Sequence, residues 1–195
     1  MATFLPYFIP LFVAMDPVGL LPVFLSLTHG MDDRRRRAVT YEALSTALMV
    51  SLGFMFLGKA VFRFLSITAA DFRIAGGVLL LVLAVIDLLT PGKPAVEDRS
   101  SPGVFPLAMP LIAGPATLTT VLILADRGPT QTAIALAANL LIVLVGLLSA
   151  ARLVRVVGTN ALSAFSKVVM LLLAAIAVNL IRTGVAEAWG EMATR

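Results

Sequence analysis

Two helix-breaking pairs stand inside long apolar runs: Asp16-Pro17 within Phe4 to Leu27, and Gly114-Pro115 within Phe105 to Leu124. Proline has no N–H, and its ring clashes with the preceding turn, so it kinks or ends a helix that it interrupts. It suits the first residue of a new helix, with Asp or Gly before it as the cap. The pairs therefore predict half-helices starting at Pro17 and Pro115. A helix start exposes unpaired N–H groups and a partial positive charge. In low-dielectric surroundings two such starts facing one cavity would suit an anionic group such as a carboxylate. The candidate binding residues flank the breaks: Asp16, Pro17, Val18 and Gly19 from the first, and Gly114, Pro115, Ala116 and Thr117 from the second. Asp16 is the deepest acid. An ionised side chain in hydrocarbon costs at least about 2.5–3.5 kcal/mol, so it should face a cavity or a partner. It can cap its half-helix, bind a substrate ammonium, or couple transport to H+ or Na+. Gly114, at the matching place, has no side chain, so the breaks contribute unequally. The plainer alternative is a pair of proline kinks that only help helices pack.

Asn139 and Asn179 are secondary candidates, with a hydrogen bond between helices as the leading role. The hydroxyls of Thr117, Thr119 and Thr120 can bond back to their own helix. Glu42 follows an arginine cluster and is expected to pair with it, and Asp87 lies late in its apolar run. Ala43 with Ala47, Gly146 with Ala150, and Gly76-Gly77 favour close helix contact. Catalytic constellations are poor. His29 is the one histidine, cysteine is absent, and no HExxH, P-loop or nucleotide-binding glycine pattern occurs. Asp16 and Asp87 lack the glycine-rich flanks that would expose a reactive carboxylate pair. No enzyme, no metal site and no cofactor is expected.

The elements that must position these residues are membrane spans. Only 13% of residues are charged and mean hydropathy is +1.00, whereas a soluble domain carries about 25% charge. Six apolar segments, roughly 4–27, 39–62, 72–90, 105–125, 131–153 and 164–183, are each near the ~20 residues that cross ~30 Å of hydrocarbon. Thr28–Arg37, Thr90–Gly103, Asp126–Thr130 and the basic stretch Arg152–Ser163 are expected as connectors. No cationic residue precedes Arg34, so there is no sign of a cleaved signal peptide. The basic residues lie in loops, which argues for membrane orientation rather than nucleic-acid binding.

The halves resemble each other weakly. Asp16-Pro17 matches Gly114-Pro115, and Arg73-Ile74 matches Lys167-Val168. Three helices per half is an odd number, so a shared fold must be inverted in the second half. The expected repeats are about 1–92 and 103–195 within a single transmembrane domain spanning 1–195. With both termini outside, inner loops hold nine basic residues against six on the outer side, and Arg34–Arg37 dominate the bias.

Four stretches carry a family resemblance: Asp16–Thr28 (DPVGLLPVFLSLT), Arg73–Leu80 (RIAGGVLL), Pro106–Thr120 (PLAMPLIAGPATLTT) and Leu173–Asn179 (LAAIAVN), the last followed by Gly184. Over nearly its whole length the chain resembles the MarC family of bacterial inner-membrane proteins, which is similar in architecture to LysE-type exporters. The resemblance implies six helices as an inverted repeat, and some members are associated with small neutral amino-acid transport. Two departures stand out: Leu20 where family members often carry Asn, and Ala116 where they often carry Gly. The expectation is an all-α membrane protein of six transmembrane helices, in two inverted three-helix repeats, with the first and fourth helices broken at mid-membrane. Functionally, it is a secondary transporter or exporter of a small metabolite, a neutral amino acid first, working by alternating access. The alternatives are a non-transporting scaffold or regulatory subunit, and an ion channel or ion exporter. Expected partners are a small-molecule substrate, the lipid bilayer and, as an open option, further copies of the chain, but no nucleic acid. The expected location is the bacterial inner membrane.

Overall fold

Short polar turns set the element boundaries. Asp32 caps one helix by accepting from the Arg35 amide at 2.7 Å, and Ser66, in the left-handed region at φ 54°, ends it. Thr68 and Asp71 then cap the next reciprocally, with Thr68 N to Asp71 Oδ2 at 2.8 Å and Asp71 N to Thr68 Oγ1 at 3.1 Å. A computed structural model describes residues 4–89, 103–157 and 159–193. Its elements are α1 (Leu5–Met15), α2 (Pro17–Leu27), α3 (Asp33–Leu65), α4 (Ala69–Leu89), an irregular segment (Gly103–Ile112), α5 (Pro115–Arg127), α6 (Pro129–Val157) and α7 (Thr159–Ala193). No strand occurs among the described residues.

The all-helical expectation holds at this coarser level, and several details differ from it. Four helices are long and apolar enough to cross a bilayer, or five when Gly103–Ile112 and α5 are taken as one span bent by 57°. Six is not reached by that criterion because Asp16 divides the first run into two helices of 11 residues each, about 16 Å apiece. The fourth run breaks ahead of Pro115 as expected, but the part before the break is not regular helix. Its first part holds Phe105 and Met109 in extended conformation, and the peptide bonds before Pro106 and Pro110 are cis. Arg34–Arg37 lie in the first turns of α3 rather than in a loop. Arg36 pairs with Asp33 at 3.4 Å, instead of the expected Glu42. The connector expected over 152–163 is mostly helix, with α6 running to Val157 and α7 starting at Thr159. Most of the expected 90–103 connector lies outside the described residues.

The most extensive packing joins α4 to α7, and small residues make it close. Gly77 lies against the Ala177 carbonyl, and Gly184 against the Ala70 carbonyl and Ile74. Ala70 with Gly77, and Ala177 with Gly184, are each one heptad apart, so two antiparallel helices meet along one stripe. Elsewhere the two halves of the chain interleave. Phe8 and Leu21, in α1 and α2, lie against Asn139 and Gly146 of α6. Gly103 lies against Val39, and Leu122 against Gly58, so the 103–127 stretch runs parallel to α3. An ion pair between Lys59 and Asp126 closes the far end of that contact. Each interrupted stretch is thus flanked by an unbroken helix of the other half.

Gly184→Leu would push a side chain into the Ala70 backbone and Ile74, where a Cβ alone would stand 3.0 and 2.7 Å away. Overpacking of this kind costs about 1–3 kcal/mol. The thermal midpoint in detergent should fall, while Gly190→Leu, with open space around it, should leave it unchanged. Equal midpoints for the two variants would refute the close-packed stripe.

Candidate functional site

The break at Asp16 is a single residue. Asp16 sits at φ 43° and ψ 65°, and its amide still bonds Phe12 O at 3.1 Å, ending α1. Asp tolerates this left-handed conformation better than most residues. Its own carbonyl then accepts from Leu20 at 3.0 Å, and Oδ1 accepts from the Gly19 amide at 3.0 Å. The carboxylate therefore caps α2, near the positive end of that helix. Gly19 leaves room for this cap, because a Cβ would stand 2.1 Å from Asp16 Oδ2 and push the carboxylate aside.

The second break is built differently. Gly114 is extended at φ −79°, ψ 174°, and makes no side-chain cap. Leu118 bonds the Gly114 carbonyl at 2.9 Å, and no capping side chain serves the earlier amides of Ala116 and Thr117. Gly114 is pressed against the preceding turn, since a Cβ would meet the Pro110 carbonyl at 2.2 Å. Gly76 of α4 makes room for the Pro115 ring, where a Cβ would be 2.2 Å from Cγ. Thr119 and Thr120 bond back to the carbonyls of Pro115 and Ala116 at 2.8 and 2.7 Å, which secures the first turn of α5.

The two breaks meet. Asp16 and Gly19 from one side, and Gly114, Pro115 and Ala116 from the other, line one cavity of about 90 Å³. That is room for several waters or a small solute. Met15, Leu20, Val23, Leu80, Pro110, Leu111, Ile176 and Leu180 supply most of the remaining wall. Asp16 is the one charged side chain in the lining, and it is exposed.

Other candidates lie elsewhere. Pro17 is buried outside the lining, Val18 is 69% exposed, and Thr117 is buried with no protein partner for its hydroxyl. Asn139 is buried and donates from Nδ2 to Phe8 O at 3.2 Å and Ala135 O at 2.9 Å, tying α6 to α1. Asn179 is exposed and accepts from Arg182 at 3.2 Å. Sequence reasoning misses the apolar wall from α4 and α7. The one signal for it is Gly76, whose missing side chain admits Pro115. Pro106 and Pro110, four residues apart, likewise signal that the approach to the second break is not helical.

Residues 1–189 match the model of a family described as MarC family integral membrane protein. The chain belongs to the MarC family. It is 34% identical over 185 residues to the UPF0056 inner membrane protein YhgN of Escherichia coli K12, an alignment covering 90% of this chain and 92% of YhgN. It is 32% identical over 205 residues to the UPF0056 membrane protein MJ0972 of Methanocaldococcus jannaschii, covering 96% of this chain and 89% of that one. No solved structure matches significantly. This MarC protein is therefore a multi-pass integral membrane protein.

The capping geometry orders three variants. Asp16→Asn should keep the thermal midpoint close to that of the parent, because Asn caps and tolerates the left-handed region as Asp does. Gly19→Ala should lose about 1 kcal/mol by displacing the carboxylate. Gly114→Ala should lose more, about 1–3 kcal/mol, because the obstructing atom is backbone. A Gly19→Ala protein as stable as the parent would show that the Asp16 cap is not holding the break.

Proposed function

We propose that this MarC protein is a secondary transporter of a small zwitterionic metabolite, a neutral amino acid first, and not an enzyme. The observation that carries the proposal is the single cavity shared by two helix starts from opposite halves of the chain. The uncapped amide of Ala116, at the start of α5, suits the substrate carboxylate. Asp16 suits the ammonium, or a coupling H+ or Na+. The small volume and the aliphatic wall suit a short apolar side chain. Thr117 lies outside the lining and has no part in this reading.

The same proposal takes the chain as six spans in two inverted repeats, joined across the 90–102 stretch. Support comes from which elements touch. Exchanging first for fourth, second for fifth and third for sixth span converts most of the principal contacts into others that are present, the α5–α6 packing being the exception. The α1–α6 packing becomes that of the irregular segment with α3, α2–α6 becomes α5–α3, and α2–α7 becomes α5–α4. The α4–α7 and α3–α6 contacts map onto themselves. Movement of one half against the other would open the cavity alternately to the two sides. The basic cluster Arg34–Arg37 argues for termini outside, and the name of the E. coli relative argues for the inner membrane.

Counterflow of labelled glycine and alanine in proteoliposomes tests the proposal. The parent protein should exchange both, and Asp16→Asn should lower exchange at least tenfold with its thermal midpoint retained. Equal exchange by the two proteins would remove Asp16 from the mechanism. Single cysteines at the lining residues Ala14 and Ala116, in this cysteine-free chain, should react with a water-soluble maleimide and be protected by substrate. Silence at both would favour a non-transporting scaffold.

A further inference from the structure

The first turns of α3 carry a charge arrangement that the helix itself disfavours. Residues 32–37 read DDRRRR, two carboxylates against four guanidiniums, at the helix end that is already partly positive. Asp32 is engaged as the cap, and Asp33 with Arg36. Arg36 turns inward, with its side chain 8% exposed and Nη2 donating to Met31 O at 3.2 Å, so it closes the α2–α3 turn. Arg34, Arg35 and Arg37 are exposed.

Beyond the arginines, the same face of α3 turns aromatic and then apolar. Arg34, Arg37 and Tyr41 are at helical spacing, and Met49 and Phe56 continue the stripe. Tyr41, Met49 and Phe56 are 56%, 67% and 71% exposed. Tyr41 lies about 6 Å along the helix from Arg37, and Phe56 about 22 Å further. Guanidinium, phenol and apolar side chain succeed one another in the order of phosphate, glycerol ester and acyl chain. Tyrosine is a residue of the membrane interface, and arginine matches phosphate geometry with its planar fork.

We infer that this face of α3 binds an anionic phospholipid. Its phosphate is held by Arg34 and Arg37, its ester region lies against Tyr41, and an acyl chain runs along Met49 and Phe56. Charge complementarity decides the occupant, since a zwitterionic headgroup would add its own cation to a turn that already has an excess of them. This holds whatever the cavity at the breaks transports.

The full chain in neutral detergent, titrated with dioleoyl phosphatidylglycerol, provides the test. Native mass spectrometry would read retained lipid, and the thermal midpoint would read stabilisation. Phosphatidylglycerol should be retained and raise the midpoint, and phosphatidylcholine at the same mole fraction should do neither. Arg34→Gln with Arg37→Gln should weaken the apparent affinity about tenfold or more, while Arg63→Gln, near the other end of α3, should not. If the double variant fails to fold, Arg34→Lys with Arg37→Lys keeps the charge and removes only the fork, and a severalfold loss is expected. Unchanged affinity in whichever of these double variants is measured, or equal retention of phosphatidylcholine, would overturn the inference. Equal stabilisation by glycerol 3-phosphate would overturn it in favour of a soluble-anion site.

Discussion

Backbone amides and carbonyls freed by proline must find partners where water is scarce, and the organisation around both breaks stems from that. An unpaired polar backbone group in an apolar setting costs several kcal/mol. At the first break the partner is a side chain, with Asp16 folding back onto the Gly19 amide. At the second, the chain closes on itself, with Ala113 donating to Ala108 O at 2.8 Å before the new helix begins. Glycine recurs at these places because the closures bring atoms within reach that a methyl group would occupy.

Packing supplies what hydrogen bonds alone do not. The α4–α7 pair forms a closely spaced wall because Ala70, Gly77, Ala177 and Gly184 leave nothing between the backbones. The same pair contributes Leu80, Ile176 and Leu180 to the cavity. A site whose polar groups come from two short helix starts therefore takes its shape from two long, unbroken helices. Asn139 adds a tether at Phe8, one hydrogen bond to a backbone carbonyl in the broken stretch.

Much of this is legible in residue types. Asp-Pro and Gly-Pro inside apolar runs locate both helix starts to the residue, because proline at a first helical position has few other meanings. The composition and the apolar runs point to an all-helical membrane chain. What is not legible depends on direction. Val18 and Gly19 are neighbours in sequence, yet a helix turns about 100° per residue, and only Gly19 faces the cavity. Thr117 and Ala116 differ in the same way. The irregular path over 103–112 is obscured by its hydropathy, which is that of a span. The walls from α4 and α7 come from residues far away in the chain, marked locally by nothing beyond Gly76. The helical start of α3 is hidden by the four arginines, which suggest a loop although Asp32 stands in place as a cap.

The interleaving of the halves has a consequence for biogenesis. The Asp16 break is inserted early, but the helix that lies alongside it, α6, is made more than a hundred residues later. At about 5–20 residues per second the wait is on the order of ten seconds. Over that interval the carboxylate folded onto its own helix already gives the Gly19 amide a partner, with no need of the later helices. The N-terminal part is not a folding unit by itself: α1 to α4 find their packing chiefly against elements made after them.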